Sequence, residues 1–311
     1  MSIVTIIGSH KGGVGCTTLA TLLADLSRAA GERHLDIALE QEIADAPKSG
    51  KAQKRQNSLE RLCEISRAAA RDTDVLSVEF EFGGNTQSVL RRKLGCVIPV
   101  PISQSMDQCF ELLSRDFLSG SALVDLGPGL LAPWLAWATQ TELGRKLASS
   151  GIRLDFITVS TPDRAALGLA ADALTGARKA FGRFDLDFRG YVVHNEVQTS
   201  FDKLVGTDEW DRLGSVLSQG KRFRSLRFPA AWSELITQFE SSDLLPTQIS
   251  ALSDEEVEDR WRVMAVEARR GGDDYLDWVL TAAEELLAAG LLDLRMEPLS
   301  LRWAPKSTTE F

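Results

Sequence analysis

A doubly wound α/β fold with a mainly parallel sheet is predicted by two patterns in the 311-residue sequence. Short apolar runs that suit buried strands alternate along the chain with stretches of helical periodicity, as in parallel sheets that carry helices on both faces. The first of these strands, around residues 3–7, leads directly through a glycine-rich loop into a helix. That order of elements is the context in which phosphate-binding loops occur.

Composition excludes several classes of protein. The net charge of −9 disfavours binding of the whole surface to nucleic acid or anionic lipid, so any such contact needs a local patch. The four cysteines show no CxxC pairing and no metal-ligand spacing, which indicates reduced thiols. No signal peptide is expected, and the longest apolar stretch, residues 130–138, is too short to span a bilayer. We therefore expect a cytoplasmic protein without membrane insertion.

The glycine loop reads Lys-Gly-Gly-Val-Gly-Cys-Thr-Thr over residues 11–18. Gly12, Gly13 and Gly15 allow the backbone to turn tightly and to direct successive N–H groups at an anion. The helix that is predicted to start near Thr17 adds its unpaired donors and its positive dipole end. Thr17 stands where such loops place a magnesium-binding hydroxyl.

This loop resembles that of the ParA/MinD family of deviant Walker A ATPases, which reads KGGxGK[ST]. Lys11 matches the signature lysine that, in the family, reaches the partner's phosphates in an ATP-bound dimer. Cys16 replaces the P-loop lysine, and a neutral thiol cannot contact phosphates as an ammonium does. The resemblance implies binding of ATP or ADP with Mg²⁺ by the loop residues, which are Lys11, Gly12, Gly13, Val14, Gly15, Cys16, Thr17 and Thr18.

Two later segments extend the resemblance. Apolar residues before Asp125 and Gly127 resemble the family's Walker B and switch II segment, which implies that Asp125 holds a magnesium-bound water and takes part in catalysis with Lys11. Asn195 ends a strand where relatives place an amide that pairs with the adenine edge, and Pro229 matches a loop that lies against adenine. The resemblance implies a nucleotide-binding domain over residues 1–250. The tail, residues 251–311, departs from the family's pattern, and its periodicity predicts a C-terminal helical hairpin packed on or beside that domain.

One expected part of the family's site is missing from the sequence. Relatives have a strand that ends in an Asp-x-Asp-Pro motif, whose first Asp arranges magnesium and the attacking water. An ungapped alignment from Gly31 puts Ala38 at that position and Glu40 at the second acidic position, and a one-residue slip brings no acidic residue there. The double loss at positions 16 and 38 predicts impaired or absent hydrolysis.

The remaining chain is assigned from its periodicity and turn residues. Residues 46–58 are polar and basic, which suggests a solvated loop, or else a contact with nucleic acid or a partner. Asp163 is placed to cap a helix. The other predicted elements are helices from 17 to 30, from 59 to about 72, from 89 to 94 and from 134 to 147, strands at 75–82 and 154–160, and an edge strand or connector at 96–102.

The C-terminal half carries a basic cluster and a helical tail. The cluster consists of Lys221, Arg222, Arg224 and Arg227. Two interpretations of it remain open. It could bind DNA non-specifically, as ParA-type relatives do through surface cations, or it could be a solvated strand without a ligand. A capped helix is predicted from residue 253 to Arg270, stopped by Gly271-Gly272, with a second helix from 273 to 289. Residues 303–311 cannot form the basic membrane helix in which MinD relatives end.

Three functions remain open on this basis. The first is a ParA/MinD-like nucleotide-binding homodimer with a protein partner, which hydrolyses ATP poorly or not at all. It would act in intracellular positioning, DNA partition or transfer, or the assembly of a larger machine. The second is an active ATPase in which Lys11 replaces the missing lysine, and the third is a nucleotide-free interaction module. Redox control through Cys16 is a further alternative, since helix N-termini lower thiol pKa values.

Overall fold

In the part of the chain that the structure describes, seven parallel strands form one central sheet. In this computed structural model the strand order is β3-β2-β4-β1-β5-β6-β7. The structure describes residues 2–27, 35–40, 50–69, 77–79, 93, 97–99, 106–119, 121–127, 129–196, 199–230 and 233–292. The strands are β1 (Ile3–Gly8), β2 (Ser77–Glu79), β3 (Val97–Pro99), β4 (Ala122–Leu126), β5 (Arg153–Ser160), β6 (Phe188–Asn195) and β7 (Phe223–Phe228).

The described helices lie in the connections between these strands and in the chain that follows β7. They are α1 (Cys16–Leu26), α2 (35–40), α3 (Gly50–Ala69), α4 (Met106–Ser119), α5 (Leu131–Gln140), α6 (Leu143–Ser149), α7 (Arg164–Phe181), α8 (Asp208–Gln219), α9 (Leu235–Ser241), α10 (Pro246–Ala251), α11 (Asp254–Trp261) and α12 (Ala265–Ala288). A short 3₁₀ helix spans Phe201–Leu204.

Hydrophobic cores lie on both faces of the sheet. Side chains alternate along a strand, so Ile3 and Ile7 of β1 pack on one face, with α1, α3 and α9 to α12, while Val4 and Ile6 pack on the other, with α4 to α8. The predicted doubly wound, parallel α/β fold is therefore confirmed. The predicted edge position of the strand near residues 96–102 is confirmed as well, because β3 lies at one end of the sheet.

The segment in which the resemblance places a strand is helical. Leu35 and Ala38 are buried and Leu39 packs on the same core, whereas Ile37 is exposed. This spacing of i, i+3 and i+4 puts the apolar side chains on one face of a helix, and in a strand it would divide them between two faces. Ala38 is thus a core residue, and the alignment of a switch I strand over residues 35–40 is wrong.

The solvated-loop interpretation of residues 46–58 is wrong from residue 50 onward. Helix α3 begins at Gly50, and Lys54 pairs with Asp277 of α12 at 2.6 Å between Nζ and Oδ2. Arg55 pairs with Asp273 at 3.4 Å and donates from Nη2 to the carbonyl of Leu252 at 2.7 Å. These basic side chains dock α3 on the C-terminal helices, which local periodicity does not reveal.

Two other boundaries differ from prediction. The helix predicted over residues 134–147 is two helices, α5 and α6, because the backbone adopts a left-handed conformation at Glu142, where φ is 51°. Helix α1 begins at Cys16 and ends at Leu26, and the predicted continuation to residue 30 reaches beyond the described residues. The predicted helix at 89–94 also lies outside the described residues, apart from residue 93, which is helical.

The predicted helix break at Gly271-Gly272 is wrong, because α12 runs through both glycines. A Cβ atom built on Gly271 would lie 2.5 Å from Leu235 Cδ1 and 3.2 Å from Ser233 Oγ. The missing side chain therefore lets α12 approach α9 closely. Close packing compensates for the low helix propensity of glycine at this position.

We expect Gly271→Val to lower the free energy of unfolding by about 1–3 kcal/mol, because the new side chain overpacks the contact with Leu235. Gly214 supplies the control, since it is an exposed helical glycine with no atom near its Cβ direction. Gly214→Ala should stabilise the protein by about 0.5–1 kcal/mol. Urea denaturation of both variants checks this, and an unchanged stability for Gly271→Val would contradict the close-packing explanation.

None of the helices in the described part of the chain is both long and apolar enough to cross a membrane. The residues at 303–311, for which no membrane helix is predicted, lie beyond the described part.

Candidate functional site

The candidate site lies at the carboxyl edge of the sheet. Since the described strands are all parallel, the segments that follow them meet at this edge, which is where ligands bind in open α/β sheets. A pocket of about 340 Å³ opens there between β1, β4, β6 and α9. Its lining residues are Ser9, Lys11, Gly12, Gly13, Val14, Gly15, Cys16, Thr17, Thr18, Asp125, Leu126, Gly127, Asn195 and Glu240.

The glycine loop has the backbone that anion binding requires. Gly13 and Gly15 have φ values of 73° and 103°, in the left-handed region that favours glycine. Gly15 is the N-cap residue of α1, and no side chain caps the helix there. The first N–H groups of a helix have no partner within it, so the start of α1 can donate to a bound anion.

Thr17 and Asp125 meet at the floor of the pocket, although 108 residues separate them in the sequence. The Thr17 hydroxyl donates to Asp125 Oδ2 at 2.8 Å. Asp125 is 3% exposed and lies opposite Ile7 in the pairing of β4 with β1. A hydroxyl and a carboxylate are oxygen ligands of the kind that Mg²⁺ prefers, so these two residues fit the metal role that the resemblance implies.

Cys16 supplies no positive charge and is a poor nucleophile here. Burial raises the pKa of the Cys16 thiol well above its ordinary value, and the nearby Asp125 carboxylate raises it further. The thiol is therefore neutral at physiological pH. The alternative in which the start of α1 lowers the pKa of Cys16 for redox control is wrong in direction, because burial and the Asp125 carboxylate raise that pKa.

Lys11 forms an ion pair within its own chain. Its Nζ lies 3.2 Å from Asp163 Oδ1, and the two side chains are 37% and 48% exposed. Asp163 also accepts from the Ala166 amide at 2.9 Å, which confirms its predicted role as the N-cap of α7. The Ala166 amide, together with the ammonium group of Lys11, lowers the pKa of Asp163. The sequence identifies both residues but not their contact.

Asn195 supports the loop from β6. Its side-chain Nδ2 donates to the Val14 carbonyl at 3.0 Å, and it is 7% exposed. A Cβ atom on Gly15 would lie 2.5 Å from this nitrogen, so the amide packs directly against the loop. The structure thus brings Asn195 to the pocket, but it gives the amide a partner in the chain itself. Pro229 is half-buried after β7 and is not among the described residues that line this pocket.

Glu240 is a pocket residue that the sequence pattern does not reveal. It lies on α9, and its Oε1 accepts a hydrogen bond from the Thr18 hydroxyl at 3.3 Å. Burial raises the pKa of Glu240, whereas the Thr18 hydroxyl and the charge of Lys93 lower it. Since 222 residues separate it from Thr18, no local spacing could have indicated its position.

The basic cluster on β7 is partly neutralised. Arg227 pairs with the buried Glu196 at 2.8 Å, and Arg222 pairs with Asp187. Lys221 and Arg224 are exposed, and no ion pair to them occurs among the described residues. The four side chains therefore offer fewer free charges to a polyanion than the sequence suggests.

His194 is packed in an aromatic cluster beside Asn195. Its ring centroid lies 4.8 Å from that of Phe201 and 5.6 Å from that of Trp210. Its Nδ1 is buried without a hydrogen-bond partner among the described residues. Burial lowers the pKa of His194 to about 4, with Arg227 acting in the same direction and Glu196 opposing it.

This depressed pKa predicts a loss of stability in acid. The unfolded state binds a proton near pH 6.5, while the folded state binds it only near the pKa of about 4, so stability falls as pH drops through that window. We expect His194 to contribute a loss of about 2 kcal/mol between pH 7.5 and pH 5. Urea denaturation of the wild type and His194→Leu at both values isolates this contribution. A difference between the two proteins that is independent of pH would contradict it.

The strand, glycine loop and helix, with a hydroxyl and a carboxylate at the loop's end, define an α/β site of the P-loop class. No protein-family model matches the chain, and no curated protein matches it. The chain is similar to the solved structure of a ParA family ATPase from Chlorobium tepidum TLS, with 15% identity, a TM-score of 0.41, and coverage of 90% of this chain and 97% of that chain.

Two further solved structures come from Borrelia burgdorferi. One is a plasmid partition protein with 11% identity and a TM-score of 0.35, which covers 77% of this chain and 95% of that chain. The other, from strain B31, is a putative plasmid partition protein bound to AMPPNP, with 12% identity, a TM-score of 0.38, and coverage of 89% of this chain and 98% of that chain.

Proposed function

We propose that this protein is a ParA/MinD-like nucleotide-binding switch or scaffold that binds ATP or ADP with Mg²⁺ and hydrolyses ATP poorly or not at all. The observation that carries the proposal is the hydrogen bond of 2.8 Å between Thr17 and Asp125 at the end of the glycine loop. It joins the two expected metal-binding groups beneath a loop whose amides can donate to phosphates. When bound, Mg²⁺ would neutralise part of the phosphate charge.

The same pocket supports weak or absent hydrolysis. Phosphoryl transfer depends on cations that stabilise charge on the transferred group. Cys16 is neutral where relatives have a lysine, and Lys11 is paired with Asp163.

We further propose that the protein acts as a homodimer with a protein partner. In such a dimer Lys11 would leave Asp163 and contact the nucleotide of the other protomer. The partly exposed ion pair is compatible with that exchange, since exposed pairs are weak. The exposed Lys221 and Arg224 could contact DNA phosphates, and such binding would be weak and salt-dependent. Positioning, DNA partition or transfer, and the assembly of a larger machine are the processes that suit such a switch.

The test measures Mg²⁺-ATP binding and hydrolysis by the wild type and Cys16→Lys, with oligomeric state followed by light scattering. We expect the wild type to bind ATP and dimerise without turnover, and Cys16→Lys to bind more tightly. Lys11→Ala serves as the comparison, and it should weaken dimerisation. Absence of binding by either protein at millimolar ATP would overturn the proposal and favour a nucleotide-free interaction module.

The active-ATPase alternative is tested in the same series. Lys11 lines the pocket, and its charge could substitute for the lysine that Cys16 replaces. Turnover by the wild type that is lost in Lys11→Ala would establish this alternative, in which Lys11 and Asp125 are the catalytic residues.

A further inference from the structure

The charges around the glycine loop are unusual for a site that would bind a polyphosphate. Three ionisable side chains other than the neutral thiol line the described pocket, namely Lys11, Asp125 and Glu240. One cation against two carboxylates leaves a formal charge of −1. The cation is moreover paired with Asp163, which lies outside the lining. Backbone amides and the start of α1 attract an anion here, whereas the side chains repel it.

Glu240 is the carboxylate in this set that the expected metal site does not explain. Asp125 contacts Thr17, and both belong to the metal position. Glu240 instead accepts from Thr18, one residue further along α1, so its charge lies beside the donors at the helix start. Its position between α9 and the loop is partly screened from solvent, where charges interact more strongly than in water.

We propose that Glu240 is a specificity-determining residue that makes polyphosphate binding at this site depend on a divalent cation. Free nucleotide is rejected by the carboxylates, while nucleotide chelated by a metal ion brings positive charge that offsets Asp125 and Glu240. This inference rests on the proposed nucleotide binding and names the ligand as the metal complex. Lys93 reduces the negative potential near Glu240, but it is not among the described lining residues.

The experiment compares wild type, Glu240→Gln and Glu234→Gln by calorimetric titration with ATP, once with Mg²⁺ and once with EDTA. The glutamine keeps an oxygen that can accept from Thr18 but removes the charge. In EDTA we expect Glu240→Gln to bind ATP about tenfold more tightly than the wild type, since the variant removes a negative charge that lines the proposed phosphate pocket. With Mg²⁺ the affinity of Glu240→Gln for ATP should exceed that of the wild type by only about twofold. Glu234 is an exposed glutamate at the start of the same helix, so Glu234→Gln should match the wild type.

A second pair of variants separates this inference from the proposed function. Cys16→Lys and Cys16→Lys/Glu240→Gln restore a cation at the loop. If the single and the double variant bind ATP equally in EDTA, Glu240 does not select the ligand. The proposed nucleotide site would still be supported by that binding. If no variant binds with or without Mg²⁺, the proposed function fails and the inference fails with it. Urea denaturation shows whether each variant is folded, so that loss of binding is not mistaken for unfolding.

Discussion

Gly15→Ala should lower the free energy of unfolding by about 2–5 kcal/mol, which is a large effect for the addition of one methyl group. Two costs combine at this position. An L-residue in the left-handed region is disfavoured by about 1–2 kcal/mol, and Gly15 has φ of 103°. The new Cβ would also lie 2.5 Å from Asn195 Nδ2, so the amide must move and give up its bond to the Val14 carbonyl. Overpacking of this kind costs about 1–3 kcal/mol.

Gly13→Ala is the matched control for this prediction. Gly13 also has a positive φ, 73°, but nothing lies within 4 Å of its Cβ direction. Gly13→Ala should lower the free energy of unfolding only by the conformational cost, which is about 1–2 kcal/mol. Urea denaturation of the two variants and the wild type measures the difference. Equal losses would mean that Asn195 does not support the loop and that backbone strain alone requires glycine at both positions.

Arg153→Met should destabilise the protein by about 3–5 kcal/mol, because it leaves a buried carboxylate without its partner. Arg153 donates to Asp155 Oδ2 from Nε at 3.0 Å and from Nη2 at 2.7 Å, and both side chains are almost completely buried. Nη2 also donates to the Gly290 carbonyl at 3.2 Å, which ties β5 to the end of α12. Burial raises the pKa of Asp155 to about 6 even with Arg153 present, which indicates how unfavourable its charge is there.

The double variant Arg153→Met/Asp155→Asn tests the cause. It removes both charges, so it should recover most of the stability that Arg153→Met loses at pH 7.5. Chemical denaturation at pH 7.5 and pH 5 adds a second reading. Wild-type Asp155 has a folded pKa of about 6 and loss of Arg153 raises it further, so the deficit of Arg153→Met relative to the wild type should shrink at pH 5. The double variant lacks this carboxyl group and does not share the wild type's gain in stability at pH 5, so its deficit should grow there. No recovery in the double variant would locate the loss in the contact to Gly290 instead.

Local pattern was sufficient for the class of fold and for the centre of the site. Alternation of strands and helices predicted the parallel sheet. The glycines at 13 and 15 predicted a tight loop, and the positive φ values there favour glycine at both positions. The aspartate at the end of β4 was also predictable, because an apolar strand leads directly to it. These features depend on neighbours two to four positions away, which is the range over which side chains on one strand or helix share a face.

Only the tertiary structure decided which charges surround the loop and which glycines end a helix. The contacts of Lys11 with Asp163, of Asn195 with Val14 and of Glu240 with Thr18 join positions between about 150 and 220 residues apart. The helix at Gly271 continues because of a neighbour on α9, and the basic start of α3 docks on α12. The sequence determined the loop, whereas its electrostatic environment depends on how distant segments pack, and periodicity along the chain carries no information about that packing.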